Sequence, residues 1–131
     1  MPEFSEASKQ RLATCDERLQ RVFNEVIKHR DCTVLCGHRG EEEQNEAERT
    51  GKSKVKWPNS NHNRLPSTAA DVVPYPIDWN DRDRFVHFAG FVLGVAAGMG
   101  IKLRSGLDWN GNMSLKDENF FDGPHFELIE D

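Results

Sequence analysis

Two short segments, far apart in the chain, place histidine and aspartate beside short apolar runs. The first, Ser60–Asp71, contains His62 and ends in Asp71 before a pair of valines. The second, Asp122–Leu128, contains His125 three residues after its leading aspartate. Three ligands of histidine and carboxylate type, with a further carboxylate nearby to move protons, are the usual protein contribution to a catalytic zinc site. The pattern therefore predicts a fold that brings the two segments together around a metal ion.

Length and charge exclude several classes of protein. A chain of 131 residues predicts one domain over residues 1–131, with no room for a separate binding module. Seventeen basic residues stand against 22 acidic ones, and the basic residues are scattered, which disfavours nucleic-acid binding.

No apolar run is long enough for a membrane span, and the first residues lack the basic start and apolar stretch of a signal peptide. We expect a soluble protein that stays in the cytoplasm until it is released.

Three cysteines are too few and too badly spaced for a disulfide framework or a structural metal site. They are Cys15, Cys32 and Cys36. If the last two share a strand, they lie roughly 13 Å apart, beyond the ~7 Å limit on Cα separation for a disulfide. A cluster of Cys32, Cys36 and His38 matches no usual zinc knuckle. All three cysteines are predicted to be reduced.

Hydrophobic periodicity gives the secondary structure. Spacing of apolar residues at i, i+3 and i+4 predicts amphipathic helices, and alternation predicts strands. On the last helix, we expect small residues (Gly90, Gly94, Ala97, Gly98) to allow a close approach to the sheet, and Gly98 or Gly100 to end the helix. Separate helices around a small, mainly antiparallel sheet make an α+β fold. The predicted elements are helices over residues 5–29, 41–48 and 82–99, and strands over residues 32–36, 72–73, 101–104 and 126–128.

The two segments together resemble a known family. The pattern S-x-H-(x)8-D starting at Ser60, followed about fifty residues later by D-x-x-H at Asp122, is similar to the zinc peptidases that include D-alanyl-D-alanine carboxypeptidases, vancomycin-resistance dipeptidases and phage L-alanyl-D-glutamate endolysins. The run from Asp71 to Trp79 resembles the phage endolysin branch most. The resemblance covers roughly residues 30 to 128 and implies the small α+β fold of the hedgehog/DD-peptidase type.

The resemblance implies a role for each motif residue. His62, Asp71 and His125 correspond to the metal ligands, and one Zn²⁺ per chain is expected. Asp122 corresponds to the catalytic carboxylate, which accepts a proton from water and returns it to the leaving amine. Arg39, at a predicted strand end, resembles the arginine of the family's G-x-R…Q signature. A fixed guanidinium there can stabilise an oxyanion or hold a substrate carboxylate.

Other residues are candidates for substrate contact or for orienting a ligand. Gln44 completes the G-x-R…Q signature, while Asp108 and Trp109 resemble the family's G-x-D-W segment at a strand end. Ser60 is expected to contact substrate or to support the ligand loop. Glu127 points the same way as the preceding histidine in a regular strand, which makes it a candidate partner for a ligand imidazole.

Oxygen-bearing side chains after the predicted third strand suggest a second cation. Their positions are similar to the oxygen ligands of a calcium loop, but methionine replaces the glycine that an EF-hand requires, so an EF-hand is rejected. A weaker Ca²⁺ site remains a hypothesis. The candidate ligands are Asp108, Asn110, Asn112 and Ser114.

The resemblance implies a zinc-dependent endolysin that hydrolyses the L-alanyl-D-glutamate bond of the peptidoglycan stem peptide and so lyses the host cell. We expect a monomer that is made in the cytoplasm of the infected host, is released by a holin partner, and acts at the cell wall without membrane insertion. One alternative is a D-alanyl-D-alanine carboxypeptidase or dipeptidase with the same site. Another is a non-catalytic peptidoglycan-binding module, but a closed structural site needs four protein ligands and only three are found.

Overall fold

The computed structural model describes residues 2–108 and 122–129. Within these residues the chain forms four α-helices, four strands and one short 3-10 turn. The helices are α1 (Glu6–Leu12), α2 (Glu17–Val26), α3 (Glu41–Arg49) and α4 (Arg82–Gly98). The strands are β1 (Cys32–Cys36), β2 (Ala69–Pro74), β3 (Leu103–Ser105) and β4 (His125–Leu128), and the 3-10 turn is Asn61–Asn63.

The four strands form one antiparallel sheet in the order β1-β2-β4-β3. The two central strands, β2 and β4, carry one predicted ligand each, and Asp71 lies directly opposite His125 in the register. The predicted α+β fold is therefore confirmed, and strand pairing alone brings two of the three predicted ligands together.

The predicted helix over residues 5–29 is wrong in one respect, since the structure divides it into α1 and α2. The break occurs where Cys15 forms an isolated bridge with Ser67. The Asp16 amide donates to the Ser67 carbonyl at 2.8 Å, and the Ser67 amide donates to the Thr14 carbonyl at 2.9 Å. Asp16 then caps α2, because its Oδ1 accepts the Arg18 amide at 2.8 Å. The break anchors the segment that leads into β2.

The core lies on the face of the sheet that α2 and α4 cover. The ring of Phe126 on β4 meets Phe23 at 5.6 Å and Phe88 at 6.2 Å, both edge to face. Burial of one such side chain contributes roughly 1.5–3 kcal/mol. Because side chains alternate along a strand, His125 and Glu127 point to the opposite face. The core thus fixes the strand that presents these two polar groups.

The expectation that small residues bring α4 close to the sheet is wrong. Gly90, Gly94, Ala97 and Gly98 are all exposed, and a Cβ added to any of the three glycines would meet nothing within 4 Å. The helix packs through its larger side chains instead. Its end is as predicted, because Gly98 is its last residue and Gly100 has φ of 74°. None of the described helices is long and apolar enough to cross a lipid bilayer.

Candidate metal centre

Three side chains converge at the edge of the central strand pair. His62 Nε2 lies 3.2 Å from Asp71 Oδ1 and 3.3 Å from His125 Nδ1, and that Nδ1 lies 3.3 Å from the same Oδ1. A tetrahedral ion with metal–ligand distances of about 2.0–2.1 Å separates its ligand atoms by roughly 3.3–3.4 Å. The observed triangle therefore fits Zn²⁺ with three protein ligands and one side open.

Both imidazoles are oriented by acceptors behind the site. His62 Nδ1 donates to the Gly37 carbonyl at 2.8 Å, and His125 Nε2 donates to Glu127 Oε1 at 2.7 Å. In the neutral form of each ring, the proton on the outer nitrogen leaves the inner nitrogen with its lone pair directed to the centre of the triangle. Glu127 thus has the orienting position that was expected for it, and Glu127 is itself paired with Arg104 at 3.3 Å.

Backbone geometry places His62, since it lies in the 3-10 turn and not on a strand. The Ser60 hydroxyl caps this turn by accepting the His62 amide at 3.2 Å. The His62 carbonyl accepts the Arg39 amide at 2.7 Å, and the Asn63 side chain donates to the Arg39 carbonyl at 3.0 Å. Ser60 therefore supports the ligand turn, one of the two roles that the sequence left open, and it also lines the adjacent cleft.

Charge in the triangle favours a cation. Burial opposes ionisation of His62, but the carboxylate of Asp71 outweighs it and raises the His62 pKa to about 10. The pKa of His125 is raised in the same way, with burial opposing and hydrogen bonds to Asp71 and Glu127 prevailing. Burial acts to raise the pKa of Asp71, yet the two imidazoles hold it well below its usual range. The atoms that hold these protons are the same ones that could bind a metal ion, and binding of the ion would release the protons.

Asp122 stands beside the triangle without belonging to it. Its Oδ2 lies 3.9 Å from His125 Nδ1. Burial, followed by repulsion from Asp71, raises the pKa of Asp122 to about 6. A carboxyl group with a pKa near neutrality can both accept and donate a proton at the pH of a cell.

The position of Asp122 depends on a residue that the sequence reasoning missed. A Cβ on Gly106 would collide with the main-chain oxygen of Asp122 and lie 2.9 Å from its Cβ and 3.0 Å from the His125 Cβ. The Gly106 amide also donates to the His125 carbonyl at 2.8 Å, and the Asp122 amide donates to the Gly106 carbonyl at 3.2 Å. Only glycine allows this close approach, which places the acid next to the ligands.

Arg39 lies at the same centre, on the far side of Asp71. Its Nη2 is 3.4 Å from Asp71 Oδ2, the carboxylate oxygen that is not part of the ligand triangle. Its Nη1 donates to Gln44 Oε1 at 3.0 Å. The guanidinium is therefore held beside Asp71, where it lines the clefts next to the triangle.

Gln44 does not have the exposure that substrate contact requires, so the expected contact is corrected. Its side chain is fully buried. Its Oε1 accepts from Arg39 and from Asn63, and its Nε2 donates to Ser53 Oγ at 3.0 Å and to the Val55 carbonyl at 2.6 Å. Gln44 is a positioning residue that joins the arginine, the ligand turn and the loop after α3.

Two clefts open beside the ligand triangle. The first has a volume of about 410 Å³ and is lined by His62, Asp122 and His125 among others. The second has a volume of about 750 Å³ and is lined by Asp71 and the exposed Trp79, which stacks on Phe85 at 5.6 Å. Arg39, Lys52 and Asp122 line both clefts. An extended substrate lying across the metal ligands would occupy the two together.

The remaining candidates lie away from this centre or outside the described residues. Asp108 is half-buried, and its amide donates to the Ser105 carbonyl at 3.0 Å. Trp109 and the proposed calcium ligands Asn110, Asn112 and Ser114 lie outside the described residues. Cys15, Cys32 and Cys36 are free thiols, as predicted, and burial raises the pKa of the first two to about 12.

Cys36 lies beside a predicted ligand, although the sequence analysis weighed it only as part of a zinc cluster with Cys32 and His38. Its Sγ lies 3.9 Å from His62 Nδ1, and it lines the second cleft. The available signal was its position at the end of β1, three residues before Arg39. Because the end of β1 leads into the turn that carries Arg39, its last side chain was to be expected near the predicted metal site.

An antiparallel α+β fold with a buried His–Asp–His group, an open side and an adjacent carboxylate has the arrangement of a metal-dependent hydrolase. Comparisons with known proteins agree that the chain is a hydrolase and identify it with peptidases. The family of phage L-alanyl-D-glutamate peptidases matches residues 2–129. The L-alanyl-D-glutamate peptidase of Escherichia phage T5 is 32% identical over 134 residues, covering 96% of this chain and 97% of the relative.

A solved structure agrees with the sequence matches. The crystal structure of the Serratia marcescens L-Ala D-Glu endopeptidase ChiX superposes with a TM-score of 0.74 at 28% identity, covering 97% of this chain and 90% of that one. The chain therefore belongs to the family of phage L-alanyl-D-glutamate peptidases. The resemblance inferred from the two segments is confirmed, and the protein is a hydrolytic enzyme.

Proposed function

We propose that the protein is a zinc-dependent endolysin that hydrolyses the L-alanyl-D-glutamate bond of peptidoglycan stem peptides. The observation that carries the proposal is the ligand triangle, with sides of 3.2–3.3 Å, together with Asp122 beside His125 and Arg39 beside Asp71. Membership of the peptidase family supports the choice of scissile bond.

The roles of the residues follow from their positions. His62, Asp71 and His125 would hold Zn²⁺, which when bound acts as a Lewis acid and supplies a water nucleophile at neutral pH. Asp122 accepts a proton from the attacking water and passes it to the leaving amine. Arg39 stabilises the negative charge that develops on the carbonyl oxygen.

Mass spectrometry of purified peptidoglycan tests the proposal. We expect new D-glutamate amino termini after incubation with the protein, and we expect none when a chelator is present. Release of D-alanine instead would assign a carboxypeptidase. Binding to the wall without any cleavage would assign a non-catalytic module.

The biological setting is part of the same proposal. Cleavage of the stem peptide in the wall would lyse the host cell, with the protein acting as a monomer after a holin has released it from the cytoplasm. Light scattering of the purified protein tests the monomer. Lysis of host cells that express the protein with a holin, but not without one, tests the requirement for release.

A further inference from the structure

The loop that follows α3 presents three lysines in alternation, Lys52, Lys54 and Lys56. Lys52 and Lys54 line the cleft of about 410 Å³ that also contains His62, Asp122 and His125. Lys52 lines the cleft of about 750 Å³ as well, so it stands where the two clefts meet. Lys56 lines neither of these clefts. We refer to Lys52 and Lys54 as the lysine pair.

The loop is fixed relative to the metal ligands. The buried amide of Gln44 donates to Ser53 Oγ and to the Val55 carbonyl, the two residues that flank Lys54. The oxygen of the same amide accepts from Arg39 and from Asn63 beside the ligand His62. One fully buried side chain thus sets the distance from the lysine pair to both the arginine and the ligand turn.

The lysine pair adds positive charge where the cleft is otherwise rich in carboxylates. Asp122 and Glu127 line the first cleft, and Asp71 lines the second. Arg39 is already held by Asp71 and Gln44. An anionic group on a substrate would meet repulsion from these carboxylates, and two lysines at the same opening offset it.

The substrate of the proposed function carries such a group. Glutamate has two carboxyl groups, and in the peptidoglycan stem the chain continues through the side-chain carboxyl. The other remains free, one carbon atom from the scissile nitrogen, and some cell walls carry an amide there instead. When the L-alanyl-D-glutamate bond lies at the ligand triangle, that carboxylate or amide must therefore lie in the clefts beside it.

We propose that the lysine pair binds the free α-carboxylate of the D-glutamate residue, so that the enzyme prefers stem peptides with the acid over those with the amide. This inference rests on the proposed function and adds a determinant of specificity to it. Ammonium groups of lysine suit this role because they bind a carboxylate as point charges and tolerate small differences in pose.

Two soluble substrates test the proposal: N-acetylmuramyl-L-alanyl-γ-D-glutamyl-L-lysine and its D-isoglutaminyl counterpart. The first carries the free α-carboxylate of D-glutamate, the second carries an amide at that position, and the two are otherwise identical. For the zinc-loaded wild type we expect kcat/KM to be about tenfold higher or more on the acid, the value of one charged hydrogen bond. The double variant Lys52→Gln, Lys54→Gln should lose that preference, because its KM rises about tenfold more on the acid than on the amide.

Lys56→Gln is the matched control, since it removes the same charge from the same loop, and it should keep the preference. Equal losses on both substrates in the double variant, or an unchanged preference, would overturn the assignment. Wild type that cleaves neither substrate would instead refute the proposed function. If the lysines only drew the protein to anionic wall polymers, their removal would slow digestion of intact walls but not of the soluble acid, and that result would also overturn the proposal.

Discussion

Asp122 lies beside the ligand triangle but supplies none of its three corners. Asp122→Asn should therefore lower kcat by about 10²–10⁴ while zinc binding persists, since an amide cannot carry the proton. Steady-state kinetics and the zinc content of the purified variant measure the two effects. Asp83→Asn, an exposed change in the first turn of α4, is the control and should keep full activity. Loss of zinc from Asp122→Asn would show that this carboxylate is a ligand instead.

Gly106→Ala tests the close approach that positions Asp122. The added Cβ has no room between Asp122 and His125, so we expect a loss of activity of about tenfold or more in a protein that still folds. Gly90→Ala is the matched control, because Gly90 is exposed on a helix and its Cβ would meet no neighbour. That control should keep its activity and gain about 0.5–1 kcal/mol of stability. Circular dichroism reports whether each variant is folded, and steady-state kinetics reports its activity. Full activity in Gly106→Ala would show that the close approach at Gly106 does not position Asp122.

Single residues differ in how much the sequence reveals about them. Metal chemistry pointed to histidine and aspartate, the family resemblance implied that His62, Asp71 and His125 are the ligands, and the structure brings these three together. Gly106 was noted only as part of a motif and Cys36 only as part of a rejected zinc cluster, because their contacts across the sheet are not visible in the sequence. Gln44 was found but given the wrong partner, since a polar residue in a motif gives no sign of whether it faces substrate or supports its neighbours.

Secondary structure elements were predictable where one periodicity holds from end to end. The strand at β1 and the helix at α4 were found close to their observed bounds. The break between α1 and α2 was not, because apolar spacing continues through it and the cause is a pairing with Ser67, more than fifty residues away in the sequence. The exposed glycines of α4 were misassigned for a related reason, since small residues fit both a tight contact and an open surface.

Asp16 allows a test of the break between α1 and α2. Asp16→Ala removes the cap of α2 and should lower the free energy of unfolding by about 1 kcal/mol, or the melting temperature by roughly 3–5 °C. Asp16→Asn keeps a capping oxygen and should cost less than half of that. Thermal denaturation at pH 7 checks both, and an Asp16→Ala protein as stable as wild type would contradict the assigned cap.

The same aspartate gives a pH dependence. The hydrogen bond from the Arg18 side chain lowers the pKa of Asp16 below its ordinary value. The ionised form is therefore favoured by folding, and its contribution is present above about pH 4 and is lost as the pH falls through the lowered pKa. The difference in melting temperature between wild type and Asp16→Asn should shrink on acidification. A difference that grows at low pH would contradict the sign of this shift.

For the whole molecule, the metal ion should act as a cross-link. Its three ligands come from the 3-10 turn, β2 and β4, so binding stabilises the folded chain by mass action. Saturating zinc should raise the melting temperature by about 5–15 °C over protein in chelator. His125→Ala should abolish that shift, and His87→Ala, which changes an exposed histidine, should preserve it. Equal melting temperatures with zinc and with chelator would rule out a metal at this site.

The pairing of Asp71 with His125 also determines when the enzyme can first exist during its synthesis. β1 and β2 are neighbours in the sheet and are translated early, but β4 inserts between β2 and β3 and is translated after both of them. A nascent chain therefore contains His62, Asp71 and Arg39 well before His125, the last of the three predicted ligands, has been translated. The ligand triangle cannot close until residue 125 has been translated and β4 has inserted into the sheet, so partial translation products lack the complete site.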